Sequence, residues 1–329
     1  MLEMRRETLL NAGIALLLLA VPLVAWAIDE TYYITVASRV AILALAGVGL
    51  NLALGFGGMV SFGHAAFFGL GGYAAGVLSH HAFEGSAFMN WPLVIDGSDS
   101  TLTLWFAALL LSGVVAAIIG AISLRTTGVY FIMITLAFAQ MIYYLAISLP
   151  TYNGEDGLPL YLRSNLPGLD LSNDLTFFFV CYALLLLAIF LSVRIVGSRF
   201  GAALECARQN ENRLSTIGIA PYPVKLTAFV LSAMITGLAG ALFVELNGFV
   251  SPSILSWHLS GEIMIFVILG GVGRFYGPIV GAALFIVLET VIGGYTERWQ
   301  LFLGVILLGV VLFARGGVVG LLAGKARHD

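Results

Sequence analysis

A chain of 329 residues that is 60% hydrophobic and only 10% charged, with a mean hydropathy of +1.01, is excluded from the soluble globular class. A solvated exterior alone takes about 25% charged residues. The net charge of −3 excludes nothing by itself, because position along the chain decides what each charge does. The two cysteines, Cys181 in an apolar segment and Cys206 in a polar one, cannot make a disulfide framework and read as free thiols.

The expected fold is all-α: a polytopic transmembrane helical bundle, one membrane domain over 1–329 with no separate soluble domain and no repeat of 20–50 residues. At about 20 apolar residues per span, about ten spans fit, near 9–28, 32–54, 59–80, 102–123, 127–149, 175–195, 223–246, 258–272, 278–294 and 298–314. The first resembles a cleavable secretion signal, with Arg5-Arg6, an apolar run and Ala25-Trp26-Ala27. The run reaches Ile28, longer than the roughly 7–15 residues of a signal core, so retention of 1–27 is expected over cleavage. Placing the N-terminus in the cytoplasm puts every Lys and Arg except Arg39, Arg163 and Arg298 on the inner side. Both termini are then cytoplasmic. The long outer connections, 81–101 and 150–174, are acidic and rich in turn residues, which suits either a solvated rim or a landing surface for an external partner.

Along this order, 55–76 is the first unusual stretch. Its many glycines cost about 1 kcal/mol each against alanine in a helix. In a membrane they serve close helix crossing, for which Gly69, Gly72 and Gly76 have the spacing, or a broken helix facing a cavity. Gly57, Gly58 and Gly63 flank Ser61 and His64, where an unwound turn would expose donors and acceptors. Packing and a translocation pathway or gate both remain open. The glycine pattern of 54–58 is loosely echoed at 269–273. On the fifth predicted span, Thr135 and Gln140 offer hydrogen-bonding groups suited to line a cavity for a small polar solute. Arg39, Glu245, Glu262 and Glu289 fall in the outer thirds of their spans. Either Arg39 pairs with one of the glutamates inside the bundle, or these groups reach the interface.

The longest water-loving segment is 198–219. Phe200, Leu204, Ala207 and Leu214 form one stripe, while Arg199, Glu205, Arg208, Gln209, Asn212 and Arg213 face outward. Ser198 caps the start and Gly218, before Pro221, stops it. A short amphipathic cytoplasmic helix is expected, serving either as a solvated connection or as a docking helix for a soluble motor. Other chemistry is missing. His64 has no second ligand at metal spacing, so no metal site is expected, and neither is a cofactor. There is no paired-acid or Ser/His/Asp constellation, so an embedded enzyme fits poorly. Gly324-Lys325 imitates a phosphate loop, but Val319 and Ala326 stand where that motif needs Gly and Ser/Thr. If the chain pumps, another subunit supplies the energy.

The 55–76 stretch, the segment GAALECARQNENRLSTIGI and the long run from LTAFVLSAMITGLAG through GGVGRFYGPIVGAALF together closely resemble LivM-type permeases of ABC importers for branched-chain amino acids, over about residues 35–315. The resemblance implies a permease in a bacterial inner membrane, driven by two cytoplasmic ATPase subunits. A second homologous permease, a periplasmic solute-binding protein and the lipid bilayer complete its partners, without nucleic acid. It places the coupling segment at 198–219, on Gly201, Ala202, Arg208, Asn210, Glu211 and Gly218, with Glu205 counted among them. Arg208 is expected to contact the ATPase, beyond a weak pair with Glu211. Cys206 and Leu204 depart from what relatives often carry. Relatives also move urea, short amides and aromatic or other carboxylates, so the solute stays open. A stand-alone secondary carrier or channel is the competing expectation.

Overall fold

The computed structural model describes residues 2–89, 95–160, 163–296, 298–313 and 316–323, and is predominantly helical. The expected basic tail residues Arg315, Lys325 and Arg327 lie outside the described residues. Each of the ten expected spans coincides with a helix. They are α1 (Leu2–Ala27), α2 (Thr31–Asn51), α3 (His64–Glu84), α4 (Thr101–Ser123), α5 (Val129–Ile147), α6 (Asp174–Val196) and, after the short α7 (Arg199–Gln209) and α8 (Glu211–Thr216), α9 (Pro221–Asn247), α10 (Trp257–Gly270), α11 (Gly277–Gly293) and α12 (Trp299–Phe313). A last short helix, α13 (Gly317–Ala323), follows. Among the described residues six of the helices are long and apolar enough to cross a membrane, by length and composition. At 14, 17 and 15 residues, α10, α11 and α12 are shorter than a hydrocarbon core of about 30 Å at about 1.5 Å per residue.

Burial follows from sequence. From Val40 to Leu50 the helix α2 is apolar or small all round, with no polar face, and a helical stretch of that kind belongs in the middle. It is buried almost continuously from Val40 to Asn51, and with α3 and α9 it forms the centre of the bundle. The helices α1 and α5 are largely exposed at its edge, their bulky apolar side chains facing outward.

The closest crossing, α3 on α9, is made by Gly71, Gly237 and Gly240. A Cβ on Gly71 would strike the Gly237 carbonyl, and one on Gly240 the Phe68 carbonyl. The expected Gly69, Gly72, Gly76 stripe plays a lesser part. Gly69 and Gly76 meet the Leu255 and Val250 side chains, and only Gly72 approaches α9, at Val244 and Gly240. Glycine spacing identified the helix but not the contact row, since the row depends on a partner helix far along the chain.

At the upper end, opposite α7 and α8, the described parts of the two long connections carry short antiparallel pairs. β1 (Ala87–Met89) pairs with β2 (Ile95–Asp96), and β3 (Leu158–Pro159) with β4 (Phe249–Val250). At the lower end lie α7, α8, the 57–63 segment and the 271–276 turn.

Candidate functional site: a basic helix on a bulged span

The site begins where α2 loses its regular hydrogen bonding. Residues Leu52–Phe56 wind as a π-helix, and Gly57 N donates to Leu52 O at 3.2 Å. Glycines make this end easy to unwind, and such wide turns concentrate at functional sites. Gly58 has φ +67, a left-handed conformation that favours glycine, and a Cβ there would lie 2.9 Å from Arg208 Cγ. Irregular backbone then runs to Gly63, where the N–H donates to Ser61 Oγ at 3.1 Å.

Arg208 reaches this bulge from the lower side. Its guanidinium donates to the Gly55 carbonyl at 2.6 Å, across 153 residues of sequence. Ser198 caps α7, its hydroxyl accepting from Gly201 N at 3.4 Å, and Leu204 and Ala207 are buried. A single helix over 198–219 was expected, but the chain divides at Asn210. That residue leaves helical geometry at φ −162 and ψ 108, and its side chain accepts from Arg213 N at 3.2 Å to start α8. The cause is local: an asparagine side chain offers the backbone a cap in place of the next helical bond. Arg208 and Glu211 consequently sit on different helices. Their expected pair is replaced by Arg208 on Gly55 and by an ion pair of Glu211 with Lys225 of α9. Gly201 is wedged against the Val196 backbone, and Gly218, at φ +86, makes the turn that leads to Pro221. Ala202, Cys206, Gln209 and Arg213 remain exposed, and Glu205 is partly buried.

Behind the bulge, Asn51 clasps the second glycine-rich turn. Its Nδ2 donates to Arg274 O at 2.8 Å and its Oδ1 accepts from Gly273 N at 2.9 Å. Gly55 and Gly273 touch backbone to backbone, since a Cβ on Gly55 would be 2.6 Å from Gly273 N. The two stretches that echo one another in sequence are thus in contact.

Above the bulge, Ser61, His64 and Thr135 are fully buried. Thr135 packs beside Gly63, its Cβ 3.3 Å from where a Gly63 Cβ would stand. His64 Nε2 lies 2.8 Å from Ser232 Oγ, and its ring meets Phe67 and Phe229 edge-on. Ser260 of α10 holds the start of α3, accepting from Ala65 N at 2.9 Å and donating to Phe62 O at 2.7 Å. Gly57, Gly58, Ser61, His64 and Thr135 therefore form one neighbourhood, whereas Gln140 is half-buried further along α5. Sequence reasoning missed Asn51, Ser232 and Ser260. Asn51 carried a signal, being the sole polar side chain between Val40 and Phe56; the two serines carried none.

The four expected intramembrane charges divide into two groups. Arg39 lies 3.2 Å from Glu289, and Glu262 is within electrostatic reach of both. Glu245, only 4% exposed, sits apart beside the Trp105 indole, with Arg163 nearby. Among the described residues no cluster of His, Cys, Asp and Glu stands ready to hold a metal.

A cavity of about 250 Å³ opens under the bulge, between Gly58–Val60, the turn from α4 to α5, the first turn of α5, Glu211 and Lys225. Its wall residue Phe131 packs edge-on against Phe229, which in turn meets Phe67 and His64.

Comparison with known proteins adds to this geometry. Residues 32–314 match the family described as the permease component of the branched-chain amino acid transport system. The high-affinity branched-chain amino acid transport system permease protein LivM of Salmonella typhimurium is 27% identical over 314 residues, covering 87% of this chain and 69% of the relative. LivM of Escherichia coli is 28% identical over 331 residues, covering 93% and 74%. No solved structure matches.

Proposed function

This chain belongs to the branched-chain amino acid transport permease family, and from that premise we propose that it is the membrane subunit of an ABC importer. It carries branched-chain amino acids, or a related small solute, released to it by a periplasmic binding protein. Two cytoplasmic ATPase subunits drive it, and a second homologous permease completes the pathway. The protein sits in a bacterial inner membrane with both termini and the α7–α8 end in the cytoplasm. The chain itself is no enzyme; hydrolysis belongs to its partners.

One observation carries this reading: the exposed amphipathic helix is tied through Arg208 to the carbonyl of Gly55, in the bulged end of the most buried span. The exposed face of α7 and α8, with Arg199, Ala202, Gln209 and Arg213, receives the ATPase. ATP-driven displacement of α7 pulls on Gly55, in a wide turn of the kind that recurs inside helices at functional sites. The 57–63 segment, Ser61 included, then moves against His64 and Thr135, opening or closing the inner end of the path.

Co-expression with the neighbouring transport components tests the proposal. The chain is expected to co-purify with ATPase subunits, and ATP-driven uptake in proteoliposomes requires them together with the binding protein. A chain that accumulates solute alone against a gradient is a secondary carrier, and the proposal falls.

A further inference from the structure

We propose that the cavity beneath Gly58–Val60 is an inner binding site for a zwitterionic amino acid with a branched aliphatic side chain, held by Lys225 and Glu211 on its way to the cytoplasm. The inference rests on the transport reading above and names the chemistry that this end of the path recognises.

The volume, about 250 Å³, suits one small solute. Ligand pockets for larger, drug-sized molecules begin at roughly 300 Å³. Its walls are of two kinds. Met59, Phe131 and Ile132 offer apolar surface, while Thr127, Glu211 and Lys225 offer polar groups. The last two form an ion pair, and Lys225 is only 16% exposed, so the cation is largely withdrawn from water. An α-amino acid carries an ammonium and a carboxylate on one carbon. A neighbouring Lys and Glu complement both, and the aliphatic side chain takes the apolar wall. A solute that supplies both countercharges gives Lys225 and Glu211 each a new partner as it separates them, so neither charge is left bare. A solute with one charge leaves either Glu211 or Lys225 facing a like charge or no partner, which is how such a site rejects it.

Position supports the assignment. Phe131 connects the wall to the Phe229, Phe67 and His64 cluster, so the cavity lies directly below the buried path residues. Gly58, in the opposite wall, touches Arg208. Movement of α7 therefore reshapes the wall, and with it the hold on the solute.

The test uses the assembled permease–ATPase complex in nanodiscs, without the periplasmic binding protein, so that binding reports on the membrane part. L-leucine, leucinamide and 4-methylpentanoate are titrated in turn. Leucine is expected to bind saturably, and the two singly charged probes at least tenfold more weakly. Lys225→Gln lowers leucine affinity at least tenfold and removes the advantage of leucine over leucinamide. Phe131→Trp, which fills the cavity and leaves both charges in place, is a second variant and also abolishes binding. Equal binding of all three probes, or leucine binding indifferent to both substitutions, overturns the inference. Absence of leucine binding while the complete complex still imports leucine overturns it too, yet leaves the transport reading standing. Failure of the chain to assemble with ATPase subunits removes both.

Discussion

His64 Nε2 lies 2.8 Å from Ser232 Oγ, and that hydroxyl gives its own proton to the Gly49 carbonyl 2.6 Å away. A serine has one proton to donate, so the imidazole must be the donor in the first contact, and its proton sits on Nε2. Three central helices, α3, α9 and α2, are joined by this one chain of polar atoms in an apolar interior. Ser232→Ala removes the acceptor and buries a bare N–H, at a cost of about 1–2 kcal/mol. A lower unfolding midpoint of the purified complex is expected, with reduced uptake because His64 also begins the helix that follows the 57–63 segment. An unchanged midpoint would show that the hydroxyl contributes nothing.

Arg208 and Gly58 should behave as one unit. Arg208→Gln removes the bond to Gly55, and Gly58→Val strains a left-handed backbone while pushing into the Arg208 side chain. Each substitution is expected to cut uptake at least tenfold while ATP hydrolysis by the assembled complex continues. Residues that share one interaction are non-additive, so the double variant should lose little beyond either single one. Solute transported per ATP hydrolysed is the quantity to measure. Fully additive losses would mean that the two residues act separately, with Arg208 serving the ATPase surface instead.

What could be read in advance follows a physical division. Apolar length is a local property, so all ten expected segments coincide with helices, α10 to α12 included. Turn signals are local as well, and Ser198 and Gly218 sit where their chemistry suggested. Asn210 was equally local, but its capping of α8 was masked by an apolar stripe that continues through Leu214. Contacts between distant segments were not legible. Nothing near Arg208 in sequence indicates a carbonyl 153 residues away. Gly71 looked no different from Gly69 or Gly72 until α9 was beside it. The choice of Glu289 over Glu262 or Glu245 as the neighbour of Arg39 likewise depends on helix placement.

That ion pair makes a distinct prediction. The Arg39 and Glu289 side chains are 41% and 27% exposed within the chain, so in water their attraction would be worth only about 0–1 kcal/mol. At membrane depth the larger effect is the cost of leaving one charge alone, and Glu262 nearby makes it worse by like-charge repulsion. Arg39→Leu should therefore lower the unfolding midpoint and the yield of inserted protein. Adding Glu289→Gln to Arg39→Leu should recover most of the loss. If the double variant is as unstable as Arg39→Leu, the pairing has no energetic weight.

The glycine crossing of α3 on α9 yields a prediction with its control built into the same chain. A methyl group at Gly71 has to displace the Gly237 backbone, and one at Gly240 the Phe68 backbone. Backbone within two packed helices cannot move aside as the tip of a flexible side chain can. Overpacking of this sort costs about 1–3 kcal/mol. Gly261 in α10 and Gly304 in α12 have nothing within 4 Å of an added Cβ. At those two positions alanine should be neutral or stabilising, by up to about 1 kcal/mol of helix propensity. Unfolding midpoints of Gly71→Ala, Gly240→Ala, Gly261→Ala and Gly304→Ala, measured under one condition, should thus separate into two pairs. The first pair should also lose uptake, because spreading α3 from α9 pulls His64 away from Ser232. Equal midpoints across all four would mean that α3 and α9 do not cross at these glycines, and the buried path built on that crossing would have to be redrawn.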